Sequence, residues 1–309
     1  MTNRFVQMVD EQLSYNGYKS LFYATPSGRF IVGPSLRVVT ELQARAAEAK
    51  ALSANLGGHA FVELVTYATE KVIRRFVQAN QFLNFTETDF QKLKELYRRF
   101  FNTILDRSTG ADRVTCKKVI ACFHEHYQAL RTFLTETNGS EIFRKYMESP
   151  YLFEVVCAQY RAEFQVKLMG LDENALIEPV LDIGCGQDAH LVRYLRAQGI
   201  QAFGIDRTVH TAEFAAAANW LDYPLAPDSW GTVISHMAFT NHMGHHLFRK
   251  DGDYAAYVGK LVEILKSLKV GGSFVFSPSI PFLETVLKDG GSYRFRRYDE
   301  HTGWITRLA

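Results

Sequence analysis

A strand followed by a glycine turn and a helix is the feature that most constrains how this sequence folds. Residues 180–183 (VLDI) form a buried-type strand pattern, Gly184 and Gly186 follow it, and a helical pattern begins near residue 190. Glycines at such a junction let the backbone turn tightly and approach a ligand closely. Asp206 ends the next predicted strand, about 20 residues further on, where a carboxylate can accept hydrogen bonds from both hydroxyls of a ribose. The pattern predicts a nucleoside-binding α/β domain.

From about residue 176 onwards, short β-rich runs alternate with helical stretches. The predicted strands lie at 180–183, 202–205, 232–235 and 273–277 and in the YRFRRY and ITRL runs near the end, with an amphipathic helix over Tyr254–Leu268. Strands that alternate with helices through short connections indicate a mostly parallel, doubly wound sheet.

Residues 1 to about 170 show helical patterns alone. One long helix is predicted between Pro34 and Gly57, a second from His59, and a third after Thr86, which is typical of an N-cap. Further helices are predicted at about 113–136, 140–148 and 151–169. The predicted fold class is therefore α/β, with an N-terminal all-helical domain (1–170) before a doubly wound Rossmann-like sheet (171–309).

Composition and charge favour some classes of function over others. A length of 309 residues favours two domains, and a formal net charge of +2 does not call for nucleic acid or an anionic membrane as a partner. No apolar run approaches the roughly 18 residues of a membrane span. The four cysteines form no CxxC pair and the polar N-terminus is no signal peptide, so we expect reduced thiols and a cytoplasmic protein. The oligomeric state stays open.

The residues from about 176 to 309 resemble the class I S-adenosylmethionine-dependent methyltransferases. The matching segments are Leu181–Gly186 (first motif), Phe203–Asp206 (ribose-binding acid), Asn219–Pro224 with Pro227–Trp230 (third region), Ile234–Ala238 (fourth strand) and Val270–Phe276 (turn into the fifth strand). The resemblance implies a Rossmann-like methyltransferase fold and S-adenosylmethionine as the cofactor. The helical part shows no such resemblance.

The resemblance also implies which residues hold the cofactor. They are Asp182, Gly184, Gly186, Gln187, Asp188, Asp206, Arg207, Leu221, Asp222 and Ser235. Gln187 and Asp188 depart from the family, which often has Thr-Gly or Ser-Gly there, and Gly231 stands where the fourth strand usually begins with Asp. Because Asp188 would repel a pyrophosphate, the residues favour S-adenosylmethionine over a dinucleotide. Asp222 is equally compatible with a solvated turn.

Candidate catalytic residues lie in two segments. His236, Asn241 and His242 follow the fourth strand and are expected to place a substrate or act as a general base. With His245 and His246 nearby a metal site is conceivable, but no carboxylate or thiolate stands at ligand spacing, and we predict none. Near the N-terminus, Tyr15, Tyr18 and Tyr23 fit either a lid over the cofactor or a hydrophobic strap.

Three functions are compatible with these residues. The first is a methyltransferase that acts on a small molecule, with the helical domain covering the site. The second is a lyase that resembles the azetidine-2-carboxylate synthases, which cyclise S-adenosylmethionine on itself and release methylthioadenosine. The third is a non-catalytic module, against which the intact cofactor motif argues. Methyl transfer is the commoner chemistry on this fold, and we expect it.

Overall fold

Two units make up the chain in the computed structural model, which describes residues 2–55, 57–108, 113–152, 160–287 and 291–309. The division lies between Met1–Val155 and Val156–Ala309. It precedes the boundary predicted at residue 170 because one further helix, Ala162–Met169, belongs to the second unit. There the indole Nε1 of Trp304 donates to the Met169 carbonyl at 3.2 Å, and the Thr302 hydroxyl donates to the Leu168 carbonyl at 3.3 Å.

The described part of the first unit is helical. Its helices are α1 (Thr2–Tyr15), α2 (Leu36–Ala44), α3 (Ala46–Ser53), α4 (His59–Ala79), α5 (Glu87–Arg107), α6 (Arg113–Asn138) and α7 (Arg144–Glu148), with a 3₁₀ turn at Glu141–Phe143. Apolar residues at helical spacing, among them Phe61, Leu93 and Val119, form its core. Thr86 caps α5 in a capping box with Asp89, as its position before the helix predicts.

Two helix predictions need correction. The helix predicted between Pro34 and Gly57 is interrupted at Arg45, where φ is −110° and ψ is 28°, so α2 and α3 are separate. The Arg45 guanidinium contacts Glu41 and Glu48, one on each side of the break, at 2.6 and 2.8 Å. Of the helix predicted at 151–169, the described part begins only at Ala162, and residues 153–159 lie outside the described residues.

A single mixed sheet forms the centre of the second unit. Within the described residues its strands are β1 (Val180–Ile183), β2 (Ala202–Asp206), β3 (Ala215–Ala217), β4 (Trp230–His236), β5 (Leu268–Ser277), β6 (Tyr293–Arg297) and β7 (Gly303–Arg307). They are arranged in the order β3-β2-β1-β4-β5-β7-β6. β1 to β5 are parallel and β7 runs antiparallel to both of its neighbours. The predicted doubly wound Rossmann-like fold is confirmed.

Helices cover both faces of this sheet. They are α8 (Ala162–Met169), α9 (His190–Ala197), α10 (Phe239–Leu247), α11 (Tyr254–Ser267) and α12 (Pro281–Leu287). One apolar core joins α8 and α9 to the sheet, and the other joins α10, α11 and α12 to the opposite face. No helix in the described part of the chain is both long and apolar enough to cross a membrane.

The strand order places a crevice at one edge of the sheet. The chain moves outward from β1 to β2 and β3 and then returns to place β4 on the other side of β1. Because β1, β2 and β4 are parallel, their carboxyl ends lie at the same edge. Ligands of open α/β sheets bind outside the carboxyl ends at such a reversal of strand order, so the site is expected beyond Ile183, Asp206 and His236.

Candidate active site

The glycine turn after β1 has the backbone geometry that its sequence predicts. Gly184 and Gly186 adopt φ values of +83° and +73°, in the left-handed region that favours glycine. A Cβ at residue 184 would overlap the Ala238 methyl and lie 3.1 Å from the Trp220 ring. Gly184 is therefore needed for two reasons, its backbone conformation and the close approach of the chain that follows β4.

The Asp206 carboxylate at the end of β2 is held by the turn that faces it. Its Oδ2 accepts a hydrogen bond from the Gly186 amide at 3.1 Å, and its Oδ1 accepts from the amide and hydroxyl of Thr208, each at 2.8 Å. A carboxylate has roughly four acceptor positions, and these bonds use three of them. The carboxylate is thus oriented in advance, and it keeps room for a hydroxyl of a ligand beside the glycine turn.

Asp182, in β1, is buried with a side chain 3% exposed. Burial raises the pKa of its carboxyl to about 7, and the negative charge of Asp206 adds to the increase. A cation in the crevice would favour the ionised form. Asp182 therefore suits a positively charged ligand at the carboxyl edge of β1.

The tip of the turn carries polar side chains that disfavour the binding of a phosphate. Gln187 and Asp188 are exposed, and the Asp188 carboxylate lies 3.7 Å from the His210 imidazole and 3.8 Å from that of His190. A pyrophosphate would need the amino end of α9, to which Asp188 brings a negative charge. The turn fits a cofactor without phosphate.

At the end of β4, the imidazole of His236 is enclosed by aromatic rings. Tyr160 and Phe164 lie edge-on to it, with ring centroids 4.9 and 6.4 Å away, and stack on each other. Burial lowers the pKa of His236 to about 4, so the ring is neutral near pH 7. A neutral imidazole can accept a proton from a bound substrate.

Two of the predicted site residues, Ser235 and His242, are buried in the protein interior. The Ser235 hydroxyl donates to the Ile183 carbonyl and accepts from the Phe239 amide, both at 2.9 Å. His242, on α10 and 3% exposed, lies edge-on to Trp220 and 3.4 Å from the Tyr257 hydroxyl. Burial lowers its pKa well below the usual value. Asn241, the neighbouring candidate on α10, is half-buried.

The predicted adenine side is formed around Trp220, which is buried. The Arg207 guanidinium lies 5.6 Å from the centre of the Trp220 ring, and burial lowers its pKa. Leu221 is half-buried and packs against the core of the unit. Asp222 is exposed and accepts a hydrogen bond from the Asn219 amide at 2.9 Å, as a turn residue does.

The structure brings most predicted cofactor residues to one edge of the sheet, but their roles as ligands stay predictions. Tyr15, Tyr18 and Tyr23 belong to the first unit, and their role as a lid also stays a prediction. Sequence reasoning missed Tyr160, Phe164, Thr208 and Trp220 as site residues. Trp220 stands inside the matched third region, which was the one signal available, whereas no spacing connects Tyr160 with His236. Among the described residues, no three His, Cys, Asp or Glu side chains are placed to hold a metal ion.

The sequence matches no family model and none of the curated proteins. It is similar to the solved structure of the N-methyltransferase NodS of Bradyrhizobium japonicum in complex with S-adenosyl-L-homocysteine, at 16% identity over 46% of this chain and 82% of that chain, with a TM-score of 0.32. A second similar structure is an S-adenosylmethionine-dependent methyltransferase of Mesorhizobium loti, at 19% identity over 46% of this chain and 63% of that chain, with a TM-score of 0.29.

These structural similarities are too weak to support an assignment of the fold. The strand order and the glycine turn of this chain define its fold. Three features of the chain itself are decisive: the order of the sheet, the positive φ angles of Gly184 and Gly186, and the acid that ends β2. On these features, the unit Val156–Ala309 has a Rossmann-like fold, which agrees with the fold that the resemblance to the class I S-adenosylmethionine-dependent methyltransferases implies.

Proposed function

We propose that this protein binds S-adenosylmethionine outside the carboxyl ends of β1, β2 and β4 and transfers its methyl group to a small molecule. The observation that carries the proposal is the bond between the Gly186 amide and the Asp206 carboxylate, 3.1 Å long. It supports a ribose site because it fixes a strand-end acid directly beside a glycine turn that a ligand can approach.

The surrounding residues fit the chemistry of this cofactor. Asp206 would bind the ribose, Trp220 and Leu221 offer apolar surface to the adenine, and Asp182 suits the amino group and the sulfonium. Asp188 disfavours the phosphates of a dinucleotide, which S-adenosylmethionine lacks. The aromatic faces of Tyr160 and Phe164 would attract a cation near His236.

When bound, S-adenosylmethionine supplies an electrophilic methyl group carried by a sulfonium. The chain then has to align an acceptor with that methyl group, exclude water and receive a proton. His236, which is buried and neutral near pH 7, would take the proton of an acceptor hydroxyl or amine in this proposal. The rings of Tyr160 and Phe164 contact the His236 imidazole on the side of α8 and cover it there. Few further catalytic groups are required, because alignment supplies most of the rate.

Product analysis tests the proposal. Purified protein is incubated with S-adenosylmethionine, alone and with a small-molecule fraction of a cell extract, and the nucleoside products are identified by mass spectrometry. We expect S-adenosylhomocysteine to form only when the extract is present. Catalytic formation of methylthioadenosine from S-adenosylmethionine alone would contradict methyl transfer and support the cyclising lyase. Binding without either product would support a non-catalytic module.

Two variants separate the role of His236 from that of the fold. His236→Gln keeps a polar side chain of similar size but removes the titratable ring, and we expect turnover to fall at least tenfold while the affinity for S-adenosylmethionine changes little. His301→Gln, at an exposed histidine of the same unit, is the matched control and should keep full activity.

A further inference from the structure

A cavity inside the first unit combines apolar walls with cationic side chains. Its volume is about 130 Å³, and it is lined by residues of α1, α4, α5 and α6 and of the segments between the helices. The walls include Leu13, Val32, Val72, Phe76, Leu83 and Leu130. None of the residues that line it is an aspartate or a glutamate. The cavity therefore suits a ligand with an apolar body, and its lining offers no carboxylate that could pair with a cationic ligand.

One group of polar side chains that line the cavity is hydrogen-bonded within itself. The Tyr127 hydroxyl accepts hydrogen bonds from the amides of Gln12 and Asn16, at 2.9 and 2.8 Å. Gln12, Leu13, Tyr97 and Tyr127 also line a neighbouring cavity of about 70 Å³. Because Tyr127 and its partners satisfy each other, a guest that reaches this depth gains more from apolar burial than from hydrogen bonds.

The cations that line the cavity are Arg75, on α4, and Lys19, in the turn after α1. Nη1 of Arg75 lies 3.1 Å from the position that a Cβ on Gly17 would occupy, so the missing side chain of Gly17 gives the guanidinium its space. The Lys19 ammonium lies 3.5 Å from the centre of the Tyr15 ring. Within the described ranges, neither cation is within ion-pair distance of a carboxylate. Two positive charges thus border an apolar void without an acidic partner.

We propose that this cavity binds a small carboxylic acid, whose apolar body fills the void and whose carboxylate pairs with Arg75 and Lys19. A guanidinium matches a carboxylate through two parallel hydrogen bonds. A void of roughly 150 Å³ accommodates benzene in another protein, so this one suits a ring or a chain of about six carbons. The neighbouring cavity leaves space for a longer chain. All residues that line the cavity belong to the first unit, and the proposal does not depend on the proposed methyl transfer.

Titration of the full-length protein with hexanoate, followed by ligand-observed NMR without S-adenosylmethionine, tests the site. 1-Hexanol is the matched neutral probe, because it has the same chain length and lacks the charge. We expect hexanoate to bind at least tenfold more tightly than 1-hexanol. Equal affinity of the two probes, or no hexanoate binding at millimolar concentration, would overturn the proposal.

Three variants locate the binding. Arg75→Gln should weaken hexanoate binding at least tenfold and leave 1-hexanol binding as it is. Arg74→Gln changes the neighbouring exposed arginine, which does not line the cavity, and should affect neither probe. Ala79→Leu, which adds bulk at a lining position, should weaken both. Circular dichroism verifies that each variant is folded. Wild-type hexanoate affinity in folded Arg75→Gln, or an equal loss in Arg74→Gln, would place the binding elsewhere.

Discussion

At the scale of single residues, burial decides the protonation of the groups at the carboxyl edge of the sheet. Asp182 and His236 are both removed from water, and burial disfavours the charged form of each. The acid therefore keeps its proton to a higher pH, and the imidazole loses its proton at a lower pH. Between about pH 4 and pH 7 both side chains are therefore mostly neutral without a ligand, and a bound cation would shift Asp182 towards its ionised form.

Asp182 gives a prediction about stability and pH. The folded protein holds the Asp182 proton up to a pH of about 7, whereas the unfolded chain releases it near pH 4. The folded state binds more protons in between, so the contribution of this group to stability falls as the pH rises from about 4 to 7. Asp182→Asn stays neutral throughout. Without ligand, we expect it to be more stable than the wild type at pH 8, by about 2–4 kcal/mol.

Thermal unfolding of both proteins at pH 4.5 and pH 8 measures this difference. At pH 4.5 the advantage of Asp182→Asn should largely vanish, because the wild-type carboxyl is then protonated in the folded state. An advantage of equal size at both pH values would show that the carboxylate is not responsible.

The residues of the turn could be predicted because they are close in sequence. Asp182, Gly184 and Gly186 follow one another at a strand end, and Asp206 is reached by one helix and one strand. The approach of Ala238 and Trp220 to Gly184 could not be predicted. It depends on how the chain after β4 packs against the first turn, and no local pattern encodes such a long-range contact.

At the scale of elements, the junction between β4 and α10 depends on one hydroxyl. Ser235 connects the Ile183 carbonyl in β1 with the Phe239 amide at the start of α10. Ser235→Ala would leave both backbone groups without this partner in a buried place, at a cost of about 1–3 kcal/mol. Ser229→Ala, at a less buried serine one residue before β4, is the control. We expect a lower unfolding temperature for Ser235→Ala alone.

The affinity of Ser235→Ala for S-adenosylmethionine separates two roles of this serine. Because both of its hydrogen bonds lie within the protein, we expect the affinity to change less than threefold, on the order of half a kcal/mol. A tenfold loss of affinity at an unchanged unfolding temperature would instead make Ser235 a direct ligand of the cofactor.

Elements with strong periodicity were predictable, and short or strained ones were not. The amphipathic pattern at Tyr254–Leu268 predicts α11, which spans Tyr254–Ser267. β3 consists of Ala215–Ala217, three residues with no β preference, and it forms because β2 offers an edge for pairing. α10 begins just after Met237, which has a positive φ of 53°. Such an angle is rare for a residue with a side chain, and no periodic pattern in the sequence predicts it.

At the scale of the whole molecule, the sequence predicts two parts, and the structure describes a helical unit and a sheet unit. The resemblance covers the sheet unit alone, so it says nothing about the ligands of the helices. The cavity bordered by Arg75 and Lys19 arises from side chains of several helices, which no motif links in sequence. A role of the helical part as a cover over the cofactor stays a prediction.

Calorimetric titration of S-adenosylmethionine into the wild type and Asp206→Ala tests the central claim most directly. Removing the carboxylate takes away the acceptor for a ribose hydroxyl, and we predict at least a tenfold loss of affinity, equivalent to about 1.4 kcal/mol, in a variant that remains folded. Glu213→Ala, at an exposed acid between β2 and β3, should bind like the wild type. Unchanged affinity in folded Asp206→Ala would contradict the assignment of this edge as the cofactor site.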